Sequence, residues 1–174
     1  MKAGLPGDYT IEPLLEQHER SLFECGVQEL DNYFRKQAGQ DLRRNLSAPF
    51  VLIHKPTQAI AGFYTLSNTA IEAADLPPDL ARKLPKYPLV PGTLLRRLAV
   101  DRGHSGHGLG ELLLLDALSR SLAVSREIAS YALVVQTKNE RAAGFYKKYG
   151  FIPFLNRPGA LFIPMRTIAQ LFPG

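Results

Sequence analysis

The apolar positions of this chain change period several times, and each change marks an element. Tyr9 to Leu14 reads as a short first strand after a loose start up to Gly7. Leu30, Phe34, Ala38, Leu42 and Leu46 recur every four residues, which predicts an amphipathic helix from Gln28 to Leu46 with one buried stripe, ended by Pro49. Phe50–His54 and Ala59–Leu66 are apolar runs joined by Lys55-Pro56-Thr57, the pattern of an antiparallel hairpin. Asp75 to Pro91 is proline-rich and irregular apart from a short helix at Asp79–Leu84, and a connection of this length is a candidate cleft wall. Thr93–Val100 predicts a strand, Leu109–Val124 a helix and Tyr131–Thr137 a buried strand. Thr137-Lys138-Asn139-Glu140 has the form of a capping box with Thr137 as N-cap. The helix it opens places Ala142, Phe145 and Tyr149 on one face and closes at Gly150 as the C′ residue. Phe151–Phe154 and Leu161–Pro164 read as the last strands, and Ile168–Phe172 as a helical turn.

The order β, α, β, β, β, α, β, α, β, β places hairpin-connected strands first and βα units after them, so the fold class is α/β, a mixed sheet flanked by helices. A length of 174 residues without internal repeats suits one domain. A formal charge of +5 favours a polyanionic partner or an anionic cofactor, with plain solubility as the other reading. The lone Cys25 excludes an intramolecular disulfide, and neither a signal segment nor a membrane-spanning apolar run is evident, so a cytoplasmic protein without membrane partners is expected.

The densest chemistry lies in Arg96 to Leu114, RRLAVDRGHSGHGLGELLL: strand, glycine-rich loop, apolar helix. Glycines let backbone approach a ligand, and a helix N-terminus offers unpaired N–H groups and a positive dipole. This is a phosphate site of some kind. Glu111 after Gly110 excludes a Walker loop, Gly106-x-Gly108-x-Gly110 misses the dinucleotide spacing, and His107 stands where a serine elbow needs glycine. His104 and His107 lack a third metal ligand nearby, with His18 and His54 far off in sequence, so no metal site is expected and the loop histidines read as solvated.

LAVDRGHSGHGLGELLL resembles the acetyl-CoA loop of the GNAT superfamily of N-acetyltransferases, whose pattern is Gln/Arg-x-x-Gly-x-Gly/Ala directly after the fourth strand. Gly108 and Gly110 match it, while Ser105 stands where Gln or Arg is usual. NERAAGFYKKYGF, from Asn139 to Phe151, is similar to the family's last helix and following strand. FECGVQELDNYF, FYTLS, LPPDLARKLPKYP and LRRLAVDR resemble one subgroup, the GNAT toxins of bacterial toxin–antitoxin pairs, which acetylate the amino acid on charged tRNA.

The resemblance implies a GNAT-type, mostly antiparallel sheet over the whole chain, 1–174, and acetyl transfer from acetyl-CoA to a primary amine. It implies that Ser105, Gly106, His107, Gly108, Leu109, Gly110 and Glu111 hold the cofactor's phosphates by backbone donors. Leu98, Ala99 and Val100 would offer a strand edge to pantetheine and a backbone N–H to the oxyanion. Tyr146, in the Phe145-Tyr146 pair, would be the general acid for the departing thiolate, with Asn139 either touching pantetheine or starting its helix. An α-amino group titrates near roughly 7.7–8.0, so no strong base is required, and Asp101 and Glu111 read better as a turn residue and a helix first-turn residue.

Lys36, Arg43, Arg44, Arg82, Lys83, Arg96 and Arg97 are candidates for tRNA phosphate contacts. The subgroup further implies a ribbon-helix-helix antitoxin and homodimerisation. The competing readings are a GNAT enzyme for a small amine or a protein N-terminus, and a non-catalytic nucleic-acid-binding module.

Overall fold

The computed structural model describes residues 7–173, so the loose start expected before Gly7 lies largely outside the described residues. The strands are β1 (Tyr9–Pro13), β2 (Ala48–His54), β3 (Ala59–Glu72), β4 (Leu89–Val100), β5 (Ala132–Gln136), β6 (Ile152–Pro153) and β7 (Ala160–Pro164). The helices are α1 (Gln28–Asn32), α2 (Ala38–Arg43), α3 (Pro78–Ala81), α4 (Leu109–Val124), α5 (Glu140–Lys147) and α6 (Met165–Leu171). Among the described residues the strands form one seven-stranded sheet in the order β1-β2-β3-β4-β5-β7-β6. The β1–β2, β2–β3, β5–β7 and β6–β7 pairs are antiparallel. The expected mixed, mostly antiparallel sheet is therefore present, and its element order follows the apolar pattern.

The chain divides into two compact units, one made of the chain up to Ser67 with Leu95–Ala117, the other of Asn68–Leu94 and the chain from Leu118 on. In the first, the core gathers Leu14, Phe23, Phe34, Ala38, Val51, Ile53, Ile60, Phe63 and Ala99. Phe34 lies parallel to Phe63 at 4.3 Å, and Phe23 meets both edge-on.

The predicted continuous helix Gln28–Leu46 is not continuous. Tyr33–Gln37 forms a π-helical turn between α1 and α2. The four-residue spacing explains it. In an α-helix that spacing overshoots a turn by about 40° at each step, and a wider turn brings the row back into line. Phe34 and Ala38 are fully buried and Leu30 and Leu42 pack against the core. The stripe stops there: Asn45 turns the chain with φ +57°, and Leu46 is 62 % exposed rather than buried. Asn45, not Pro49, sends the chain out of the helix. Pro49 sits inside β2, where its carbonyl accepts the Leu14 N–H at 3.0 Å. The hairpin is as expected, with Gln58 at φ +59° and its N–H on the His54 carbonyl at 2.7 Å.

In the second unit Ile71, Leu76, Val90, Ala132, Val134, Phe154, Ala160 and Phe162 form the core. The proline-rich segment packs on this core. Leu76 is part of the core, Leu80, Ala81 and Leu84 pack on it, and the Pro88 carbonyl accepts the Ala73 N–H. Both β3 and β4 run longer than their apolar runs suggested, because β4 passes through Pro91, whose carbonyl still accepts the Tyr131 N–H at 2.8 Å.

Gly62 is a point of close approach in the first unit. A Cβ there would lie 2.9 Å from the Ala99 carbonyl oxygen and 2.9 Å from Leu113 Cδ1. Gly62→Ala is therefore expected to lower stability by about 1–3 kcal/mol through overpacking, read as a shift of the urea unfolding midpoint at constant slope.

Candidate active site

The first unit carries the glycine-rich loop. β4 ends at Val100, and Asp101 caps a 3₁₀ turn, Arg102–His104, with Oδ2 accepting the Gly103 N–H and Oδ1 accepting the Glu24 N–H, each at 2.9 Å. Both carboxylate oxygens are thus committed to the backbone, which makes Asp101 a turn residue as its sequence context suggested. Gly106 and Gly108 follow with φ of +83° and +71°, and a Cβ built on either meets nothing within 4 Å. The left-handed backbone is the reason for glycine at both positions. The open space beside them is the cradle a ligand needs. Leu109 then starts the 16-residue α4, buried through Leu109, Leu113, Leu114 and Leu115, and Glu111 stands in its first turn. The first-turn N–H groups and the helix dipole favour an anion at this end, so these residues fit a pyrophosphate. Ser105 is exposed and its Oγ donates to the Arg102 carbonyl at 3.1 Å.

The loop histidines are not both solvated. His107 is exposed, but His104 is half-buried, with Nδ1 2.8 Å from the Tyr9 hydroxyl and its ring 5.1 Å from that of His54. The β1–β2 pairing brings Tyr9 opposite His54, joining residues that looked unrelated along the chain. Among the described residues, no group of three His, Cys, Asp or Glu side chains could hold a metal ion.

Leu98 and Val100 are half-buried and Ala99 is buried on β4. The basic candidates of this unit separate by exposure: Lys36, Arg43, Arg44 and Arg96 are exposed, whereas Arg97 is half-buried. Arg35 is used internally, its guanidinium donating to the Phe23 carbonyl.

The second unit carries α5. The cap expected at Thr137 lies two residues later. Asn139 is the N-cap, its Oδ1 accepting the Ala142 N–H at 2.8 Å, while the Thr137 hydroxyl and N–H both donate to the Gly159 carbonyl at 2.7 and 2.8 Å. The physical reason is that Thr137 is still held by the backbone at Gly159 and is not free to cap. Gly150, at φ +100°, turns the chain after the helix, and Tyr149 is buried as core.

Tyr146 and Phe145 are half-buried. Tyr146 meets Phe151 at 5.2 Å and Phe145 at 5.1 Å, both edge-on. Its hydroxyl has no protein hydrogen-bond partner among the described residues, and burial pushes its pKa up to about 12. It is a neutral phenol with a donor to spare. Arg82 and Lys83, in the same unit, are exposed just after α3.

Two features had no signal in the sequence. One is a cavity of about 570 Å³ beside α5, lined in part by Lys138, Glu140, Lys147, Phe154 and Arg157. The other is the placement of the Arg97 guanidinium over the Tyr33 ring, 3.4 Å from its centroid, across 64 residues of sequence.

These features accompany clear likenesses. Residues 47–153 match the acetyltransferase (GNAT) domain model. A tRNA-acetylating toxin of Mycobacterium tuberculosis is 36% identical over 129 residues, covering 74% of this chain and 75% of that one. The solved structure of AtaT complexed with acetyl-methionyl-tRNAfMet superposes with a TM-score of 0.88 at 32% identity, covering 95% of this chain and 100% of that one. A tyrosine-to-phenylalanine mutant of AtaT, bound to the C-terminus of the antitoxin AtaR and acetyl-CoA, superposes with a TM-score of 0.80 at 27% identity, covering 96% and 99%. With its loop, its capped α5 and this match over most of its length, the chain belongs to the GNAT acetyltransferase family.

Proposed function

We propose that this chain is an acetyl-CoA-dependent N-acetyltransferase that acetylates the α-amino group of aminoacyl-tRNA and so blocks translation. One observation carries the reading. Gly106 and Gly108, both left-handed, leave open space ahead of α4, in a chain 32% identical to a toxin solved with acetyl-methionyl-tRNA.

Acetyl-CoA supplies an activated acetyl group as a thioester. The chain's part is to bind, orient and manage one proton. Backbone N–H groups from Ser105 to Glu111 hold the phosphates. The Leu98–Val100 edge takes the pantetheine amides, and a backbone N–H there meets negative charge developing on the carbonyl oxygen. Asn139 is occupied as a cap through Oδ1, so its contribution to the cofactor is through the helix it starts. The α-amino group, titrating near roughly 7.7–8.0, is sufficiently neutral without a base. With Asp101 engaged in its turn, none is offered there.

The proton balance sharpens the role of Tyr146. A phenol at about 12 does not hand its proton outright to a thiolate whose conjugate acid lies near roughly 8.5. Tyr146 instead donates a hydrogen bond to the leaving sulfur, and the proton lost by the amine as the N–acetyl bond forms is the one that ends on the thiol.

Lys36, Arg43, Arg44, Arg96 and Arg97 on one unit, and Arg82 and Lys83 on the other, are the proposed phosphate contacts. The working form is a single acetyltransferase domain in the cytoplasm, a homodimer neutralised by a ribbon-helix-helix antitoxin. Support for an antitoxin comes from AtaT, solved with the C-terminus of AtaR. Among the described residues no helix is long and apolar enough to cross a membrane.

Incubated with acetyl-CoA and charged tRNA, the protein is expected to yield N-acetyl-aminoacyl-tRNA, seen after mild release of the amino acid. Acetylation of free amines with none of charged tRNA would sink the reading. Tyr146→Phe should lower kcat by about 10²-fold or more while acetyl-CoA binding holds. Because burial keeps Tyr146 protonated, the rate should rise as pH passes roughly 7–8 and then stay level to about pH 10, with no loss from the phenol. Ser105→Gln should keep or tighten acetyl-CoA binding in a titration, since the exposed Ser105 holds only a local turn contact.

A further inference from the structure

Strand alternation puts Arg97 on the face of β4 that Leu95 and Ala99 occupy, and both of those are buried. An arginine facing inward in an apolar row needs a reason. Its guanidinium lies 3.4 Å from the centre of the Tyr33 ring. That ring runs nearly parallel to Phe63, at 23° and 6.5 Å, and Phe63 stacks on Phe34 at 4.3 Å. A column of rings thus leads out of the core of the first unit and ends on a cation.

The column is held in place with care. Tyr33 donates its hydroxyl to Asp41 Oδ2 at 2.9 Å, and Gln37 donates to Asp41 Oδ1 at 3.0 Å. The π-helical turn Tyr33–Gln37 supplies both donors. Asp41 takes both hydrogen bonds, and its charge also acts on Arg97 and Arg96 without a direct bond to Arg97. Among the described residues no carboxylate lies within 4.0 Å of Arg97, and none of its five N–H donors has a protein acceptor. Burial depresses the pKa of Arg97. Yet an arginine stays charged in a protein. It is a half-buried cation, seated over a ring on one face, near the Asp41 charge, with its N–H edge not hydrogen-bonded among the described residues. Exposed positive charge surrounds it along the chain: Arg96 beside it on the strand, Lys36 within the π turn, and Arg43 and Arg44 at the end of the helix that carries Asp41.

We propose that Arg97 is a fixed anchor for a backbone phosphate of the acceptor RNA, and that Tyr33, locked by Asp41, is the residue that positions it. The assignment rests on the tRNA reading above. A planar guanidinium meets a phosphate through two parallel N–H bonds, and stacking fixes the plane in which it can do so. Arg96, Lys36, Arg43 and Arg44, being exposed, add attraction without orientation.

Full-length variants are to be compared for binding of total tRNA by filter retention across a salt series, and for acetyl-CoA by titration. Arg97→Ala is expected to weaken tRNA binding about tenfold or more and to flatten the salt slope by about one, with acetyl-CoA binding unchanged. Arg97→Lys should keep the slope and recover only part of the affinity, because an ammonium keeps the charge but not the fork. Tyr33→Leu should weaken binding in the same direction as Arg97→Ala, and Tyr33→Phe, which keeps the ring but loses the bond to Asp41, should fall between Tyr33→Leu and the unaltered protein. The proposal is overturned if Arg97→Ala binds tRNA with the affinity and slope of the unaltered protein. It is equally overturned if the unaltered protein binds no tRNA, or if both arginine variants lose acetyl-CoA binding in parallel, which marks a merely structural role. Failure of the functional reading shows separately, as no N-acetyl-aminoacyl-tRNA from an unaltered protein that still binds RNA.

Discussion

The approach of β3 to β4 at Gly62 is the constraint on which the loop-bearing unit depends. With no side chain at that position, the Ala99 carbonyl and the Leu113 methyl both come within 2.9 Å of where one would be. The end of β4 and the first turns of α4 therefore pack on the same point of β3. The Asp101 N–H completes the arrangement by bonding to the Ala61 carbonyl at 2.8 Å. Strand end and helix start are pinned to one neighbour, and the segment between them has little freedom except through residues that tolerate positive φ. Gly106 and Gly108 are those residues. The loop is thus held at both ends by packing on one strand, and its two left-handed residues lie between those ends.

How far this was readable from residues depended on the range of the interaction. The sheet, the loop and the helix after it were legible because each is written locally, as alternation, glycine spacing and a run of leucines from Leu112 to Leu115. The hairpin at Lys55-Pro56-Thr57 was legible for the same reason. What failed was competition between a local preference and a distant partner. Thr137 has the composition of a cap, yet Gly159, 22 residues on, claims its hydroxyl and amide and leaves the cap to Asn139. His104 looked like a loop side chain until pairing of β1 with β2 set Tyr9 and His54 beside it. Leu46 kept the period but not the helix. The Arg97–Tyr33 contact had no sequence signature at all, because stacking on a ring leaves no periodic trace.

The phenol of Tyr146 illustrates how environment revises a role that residue type suggests. Its aromatic neighbours Phe145 and Phe151 raise the cost of the anion, so the group that a reference value would cast as an acid becomes a persistent donor. In the reaction proposed above, the attacking amine then supplies the proton that the thiol needs.

The π turn at Tyr33–Gln37 has a consequence for how this chain can change in length. A regular α-helix tolerates substitution but not insertion or deletion, since each residue gained or lost rotates everything beyond it by about 100°. Here the extra residue is already absorbed in the wide turn. Loss of one residue from Tyr33–Gln37 would relax the turn to ordinary α geometry. Asp41, Leu42 and Arg43 would then keep their facing, whereas gain of one further residue would swing them around the axis relative to Phe34 and carry off the carboxylate that holds Tyr33. The spacing between Tyr33 and Asp41 is therefore a length constraint, one that sequence drift can violate without altering a single side chain of the site.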